Sequence, residues 1–114
     1  MLDDITSVTV KTALTGLAMR QRVTADNIAN IETPGFLAGR VSFENSLRTA
    51  VENGSPAATS ISNDRSLEPT RLNGNNVNLD TETLSNIDTV LRFQFAARAV
   101  NTEFTAVRSA LRTS

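Results

Sequence analysis

From Val10 onward the apolar-compatible positions step by four and three: Val10, Leu14, Leu17, Gln21, Thr24, Ile28 and Ile31. That step is the seam of a left-handed helix pair, and it predicts one helix from Asp3 to Ile31. Leu2 and Ile5 extend its apolar side, and Asp3 or Asp4 can cap it by accepting from the unbonded amides of the first turn. Gln21 and Thr24 weaken the centre, so the stripe reads as a partner-seeking surface rather than an autonomous coiled coil. The C-terminal end repeats the step with Val90, Phe93, Ala97, Val100, Phe104, Val107 and Leu111, widened by Leu84, Ile87 and Leu91. Neither proline nor glycine interrupts residues 84–112, which predicts a helix about 43 Å long at 1.5 Å per residue.

Between the two stripes the pattern dissolves. Residues 52–83 hold two of the three prolines and two of the five glycines, with many Asn, Ser and Thr; such a segment cannot pack a core alone. Before it, Phe43, Leu47, Ala50 and Val51 share one face of a short amphipathic helix that Gly54 can terminate. The division is an axial helix with its turn over 1–36, a short helix plus a loop or extended arm over 37–83, and a second axial helix over 84–114. Asp80 and Glu82, just ahead of the last apolar run, read as its capping acids.

The first helix ends in Thr33-Pro34-Gly35-Phe36. Pro34 pushes Thr33 out of the α region, and Pro followed by Gly suits a type II turn, because Gly accepts positive φ. Asn27 and Asn30 carry amides that can both donate to and accept from a backbone folded back beside them. Phe36 should then land against the last helical turn. On residues alone, ordinary helix capping explains the same features equally well.

Composition narrows the chemistry. The chain of 114 residues has no His, Cys, Trp or Tyr and a single lysine, Lys11. The usual general base, thiol nucleophile and soft metal ligands are therefore missing, and no catalytic, cofactor or metal residue is assigned. Eleven basic and twelve acidic residues alternate without a basic block, which argues against nucleic acid as a partner. No apolar run exceeds three residues, far short of the roughly 20 that span a bilayer, and an acidic start with no apolar core after it predicts no cleaved signal. A helical-assembly subunit, an adaptor presenting a helical hairpin and a small hydrolase remain as classes, the last without a suitable pair of carboxylates.

The stretch from Asn27 to Phe36 resembles the rod signature of bacterial flagellar axial proteins, Asn-x-Ala-Asn-x-x-Thr-Pro-Gly-aromatic, matching it at Asn27, Ala29, Asn30, Thr33, Pro34, Gly35 and Phe36. Residues 39–47 are similar to the Phe-containing helix that follows in the family. Residues 74–82, Gly-Asn-Asn-Val-Asn-Leu-Asp-Thr-Glu, resemble the segment before its last helix and favour the proximal-rod members, with a FlgC-type subunit or a non-flagellar hairpin adaptor as alternatives. Phe36 and Phe93 depart from the family, where Tyr is frequent, and the middle segment is short.

The resemblance implies a mostly α fold, with the terminal helices paired as an antiparallel hairpin or coiled coil and irregular or short extended elements lying outside. It implies a structural subunit of the basal-body rod, exported through the flagellar type III apparatus without a cleaved signal, that polymerises into the shaft transmitting torque. Implied partners are further copies of the chain, the rod proteins FlgC, FlgF and FlgG, and the junction protein FliE; no cofactor is implied. The stripe residues Val10, Leu14, Leu17, Ile28, Ile31, Leu91, Phe93, Ala97, Val100, Phe104, Val107 and Leu111 would pack the hairpin and the assembly, with Val100 expected opposite Leu14 to Leu17.

Overall fold

The computed structural model describes residues 3–112, apart from the side chains of residues 3–4, 103–107 and 112. Two long helices, α1 (Asp3–Ala29) and α3 (Leu79–Arg112), lie side by side. They are antiparallel: Asn27 of α1 bonds Glu82 near the start of α3, while Ala13 and Leu17 line one groove with Leu91 and Phe95. The molecule is a rod of 66 × 26 × 15 Å. Its radius of gyration of 17.7 Å exceeds the roughly 13 Å of a compact chain of this length.

Helix α1 ends two residues earlier than its stripe suggests, at Ala29, in turns closed by the amides of Asn30 and Ile31 on the carbonyls of Asn27 and Ile28. Threonines, weak helix formers, are accommodated at Thr9, Thr12 and Thr15 because each hydroxyl donates to the carbonyl four residues back. Helix α3 starts five residues before its apolar run, at Leu79. Its cap is Asn78, whose Oδ1 accepts from the amides of Asp80 and Thr81 at 3.0 and 3.2 Å. The capping expected of Asp80 and Glu82 is thus corrected: an amide oxygen already satisfies the first turn, and Glu82 is drawn inward.

The middle of the chain is not an outer arm. Strand β1 (Gly39–Ser42) pairs antiparallel with β2 (Ser62–Arg65), Gly39 opposite Arg65 and Ser42 opposite Ser62. Between them stand α2 (Glu44–Glu52) and a single 3-10 turn, Pro56–Ala58. Helix α2 ends at Gly54 (φ 73°), where the amides of Gly54 and Ser55 return to the carbonyls of Val51 and Ala50, the double bond pattern of a Schellman end. Val41 and Phe43 join Leu17 of α1 in the buried core, with Ala13, Val23, Leu47, Ile61 and Phe93 around them. Of the segment 52–83, Ile61 joins this cluster, and the rest of the middle's apolar contribution comes from residues 41–47.

This changes which face of α1 is covered. Leu17, Thr24 and Asn27 are buried; Val10, Leu14 and Ile31 are half-buried; Gln21 and Ile28 are exposed. On α3, Phe93, Ala97 and Val100 are half-buried, whereas Leu91 and Leu111 are exposed. Phe104 and Val107 fall outside the described side chains, as do Leu2, Asp3 and Asp4. Extending the Asn27 to Glu82 register puts Val100 level with Thr9 and Val10, more than a turn short of Leu14. The seam is rotated because the last three turns of α1 must face β1 as well as α3.

Candidate functional site

At the closed end of the hairpin, the Thr-Pro-Gly turn meets the polar segment before α3. The amide of Phe36 donates to the Thr33 carbonyl at 3.2 Å and Gly35 has φ 74°, as a type II turn requires. The Gly35 amide donates to the Asn73 carbonyl at 2.8 Å. Gly74 (φ 82°) lies so close that a Cβ on it would stand 3.2 Å from the Gly35 Cα. Backbone meets backbone there, which only glycine allows.

Asn75, fully buried, holds the turn from inside: its Nδ2 donates to the carbonyls of Asn30 and Thr33, both at 2.8 Å. Its Oδ1 accepts from the Val77 amide and from Arg71, whose guanidinium also donates to the carbonyls of Ile31 and Val77. Asn76 does the same one layer further in, accepting from the Ala38 amide at 2.7 Å and donating to the carbonyls of Ser66 and Glu68. Chain ends that cannot pair with each other are thus joined through side-chain amides.

Asn27 links three elements. Its Oδ1 accepts from the Gly39 amide at 2.8 Å, and its Nδ2 donates to the Gly39 carbonyl at 3.0 Å and to Glu82 Oε2 at 3.1 Å. One side chain pairs with the edge of β1 as a neighbouring strand would. Arg20 donates to the Val41 carbonyl further along that strand, at 2.7 Å. Glu82 is fully buried, its other oxygen accepting from Arg40 at 2.6 Å. Arg40 also reaches Glu68 at 3.0 Å; burial opposes its charge, but Glu82 and Glu68 outweigh that and raise its pKa. A second clamp joins α1 to α2, where Arg20 makes a two-pronged ion pair with Glu44 at 2.6 and 2.7 Å. Hydrogen bonds from Arg20 lower the Glu44 pKa from 4.5 to about 2.

The other signature residues stay local. Asn30 donates back to the Asp26 carbonyl and accepts from the Thr33 hydroxyl; Ala29, Pro34 and Gly35 are exposed. Phe36 is half-buried beneath the Arg65 guanidinium, 5.3 Å from its ring centre. Arg40, Arg71, Asn75, Asn76 and Glu82 were not assigned to any site from the sequence. Asn75, Asn76 and Glu82 show their role only once the fold buries them, and Arg40 and Arg71 only once it brings their partners alongside. Among the described residues, no group of three or more His, Cys, Asp or Glu is placed to hold a metal ion, and no helix is long and apolar enough to cross a membrane. The buried polar side chains of the lock, Asn27, Asn75, Asn76 and Glu82, all bond other parts of the chain, so the arrangement fixes geometry.

Fold and lock together define a class of protein: a helical hairpin whose two long helices are held at a set register by a Pro-Gly turn hydrogen-bonded to a polar loop. Residues 9–36 match the profile of the family described as flagella basal body rod protein. The flagellar basal body rod protein FlgB of Borrelia hermsii is 35% identical over 88 residues, covering 58% of this chain and 65% of that protein. FlgB of Borreliella burgdorferi is 51% identical over 37 residues, covering 32% and 27%, and FlgB of Yersinia enterocolitica 40% identical over 50 residues, covering 44% and 36%. The matches span less than two thirds of the length of each of these relatives.

Proposed function

We propose that this chain is a structural subunit of the bacterial flagellar basal-body rod, polymerising helically into the shaft that carries motor torque. The observation that carries this reading is the lock itself. The segment of the family match from Asn27 to Phe36 is tied by hydrogen bonds to residues 71–82, through the buried side chains of Asn27, Asn75 and Glu82. A torque-bearing subunit has to keep its two long helices from sliding, and paired buried charges and amides resist sliding more than apolar side chains alone, because any slip leaves them unpartnered.

On this reading the signature residues set the turn, and the stripe residues of α1 and α3 left uncovered by the hairpin supply contacts between subunits. Its partners are further copies of the chain and other rod components, among them FlgC, FlgF, FlgG and FliE. It resides in the rod as it crosses the periplasmic space, reached through the flagellar type III export apparatus without a cleaved signal, and it turns over no substrate. Isolating basal bodies from the native host tests this: the chain is expected in them with other rod proteins. Its absence from intact basal bodies would overturn the assignment.

A further inference from the structure

Leu67 and Leu72 are the most exposed large apolar residues described; Leu67 is 95% exposed and Leu72 wholly so. They do not sit on a slack loop. The Ser66 amide donates to the Ala38 carbonyl at 2.7 Å, Asn76 holds the carbonyls of Ser66 and Glu68, and the Arg71 amide donates to the Asn75 carbonyl at 2.8 Å. Two leucines are presented to solvent on a backbone pinned on either side of each. Away from the lock, between α2 and α3, lies an apolar groove of about 390 Å³ formed by Ala13, Leu17, Phe43, Leu47, Leu91 and Phe95. Its α3 wall is uncovered: Phe95 is 78% exposed.

Building on the rod-subunit reading, we infer that the Leu67 and Leu72 loop of one copy of this chain seats in the α2/α3 groove of the next. The loop cannot reach its own groove, since Arg71 ties it to Ile31 beyond the end of α1 and Leu17 to Ala29 alone spans about 18 Å of helix. Glu68 beside Leu67 is already paired with Arg40 at 3.0 Å, and Arg92 at the groove edge with Asp88 at 2.9 Å, so seating the leucines there leaves neither charge without a counterion. Rigid apolar anchors entering a pocket are the usual energetic centres of interfaces. Loop and groove are different patches of the same molecule, so the contact is head-to-tail, and repeated copies extend as an open helical array instead of closing as a dimer.

The chain has no cysteine, which gives a direct test. Leu67→Cys and Phe95→Cys, both at exposed positions, are prepared separately and treated with a short thiol cross-linker alone and mixed. The mixture is expected to give a cross-linked pair that neither variant gives alone. A Leu67→Asp, Leu72→Asp double variant, with unchanged circular dichroism, is expected to need on the order of tenfold more protein to associate. Self-linking of Phe95→Cys alone, or unchanged association of the double aspartate variant, would overturn the inference, as would a parent chain that never associates with itself. None of these touches the rod assignment, which recovery in basal bodies decides; absence there together with a mixed cross-link would remove the assignment and leave the contact standing.

Discussion

Gly16 shows how a single residue fixes the packing of an element. It lies in the interior of α1, where glycine is unfavourable by about 1 kcal/mol relative to alanine. A Cβ there would stand 2.6 Å from the Phe43 ring, which is itself buried and carries Arg20 stacked at 5.0 Å on it. Ring atoms so placed cannot move without disturbing Leu17 and Val41. Gly16→Ala is therefore expected to lower stability, because overpacking at 1–3 kcal/mol outweighs the gain in helix propensity; a net loss of roughly 1 kcal/mol should appear as a lower urea midpoint, and a higher midpoint would contradict the packing. From the sequence Gly16 reads only as a weak point in a stripe. By contrast Gly35 was legible, since Pro34 before it names the turn type, whereas its partner Gly74 was not, since nothing local says which backbone will approach it.

Elements were legible where their period was long. The stripes from Val10 and Val90 marked both axial helices, and Phe43 with Leu47 marked α2, but two four-residue strands with Val41 as their single apolar side chain carry almost no alternation to read. The pairing face of α3 holds Val90, Phe93, Ala97 and Val100 half-buried, as its stripe predicts, but its width does not follow apolarity, for a related reason. It buries Glu82 and Thr89 while leaving Leu84, Ile87 and Leu91 outside, the reverse of what apolarity alone selects. The Thr89 hydroxyl is buried with no hydrogen-bond partner among the described residues. Thr89→Val keeps the shape and removes that desolvated group, so stability should rise by about 1 kcal/mol, and thermal unfolding checks it. The contact between α1 and α2 responds to pH instead. Because the Glu44 pKa is lowered in the folded chain, its stabilisation is complete above 4.5 and is lost as pH falls through about 2. For a partly exposed pair this amounts to no more than about 1 kcal/mol, and Glu44→Gln should abolish the difference between pH 5 and pH 2.5 at the Phe43 ring resonances.

At the scale of the whole molecule, order is graded along the rod. Near the lock, α1 is covered by β1, by the loop carrying Asn75 and Asn76, and by α3. At the opposite end Ile5 and Val8 are exposed and Val10, Ala97 and Val100 only half-buried. Amides of residues 20–27 and 83–90 are thus expected to exchange hydrogen slowest in the free protein, and those of 6–12 and 96–101 markedly faster, since helices without packing are marginal; uniform protection along both helices would contradict this, and assembly should slow the open end. The bond between Asn27 and Glu82 also sets an order in time. It joins positions 55 residues apart, and closing a loop of that size carries an entropy cost of about 3–4 kcal/mol before any contact offsets it. A chain threaded out from its N-terminus can coil α1 at once, yet it carries an open latch until residue 82 is free. The register of the hairpin is therefore decided last, when most of the molecule has already emerged.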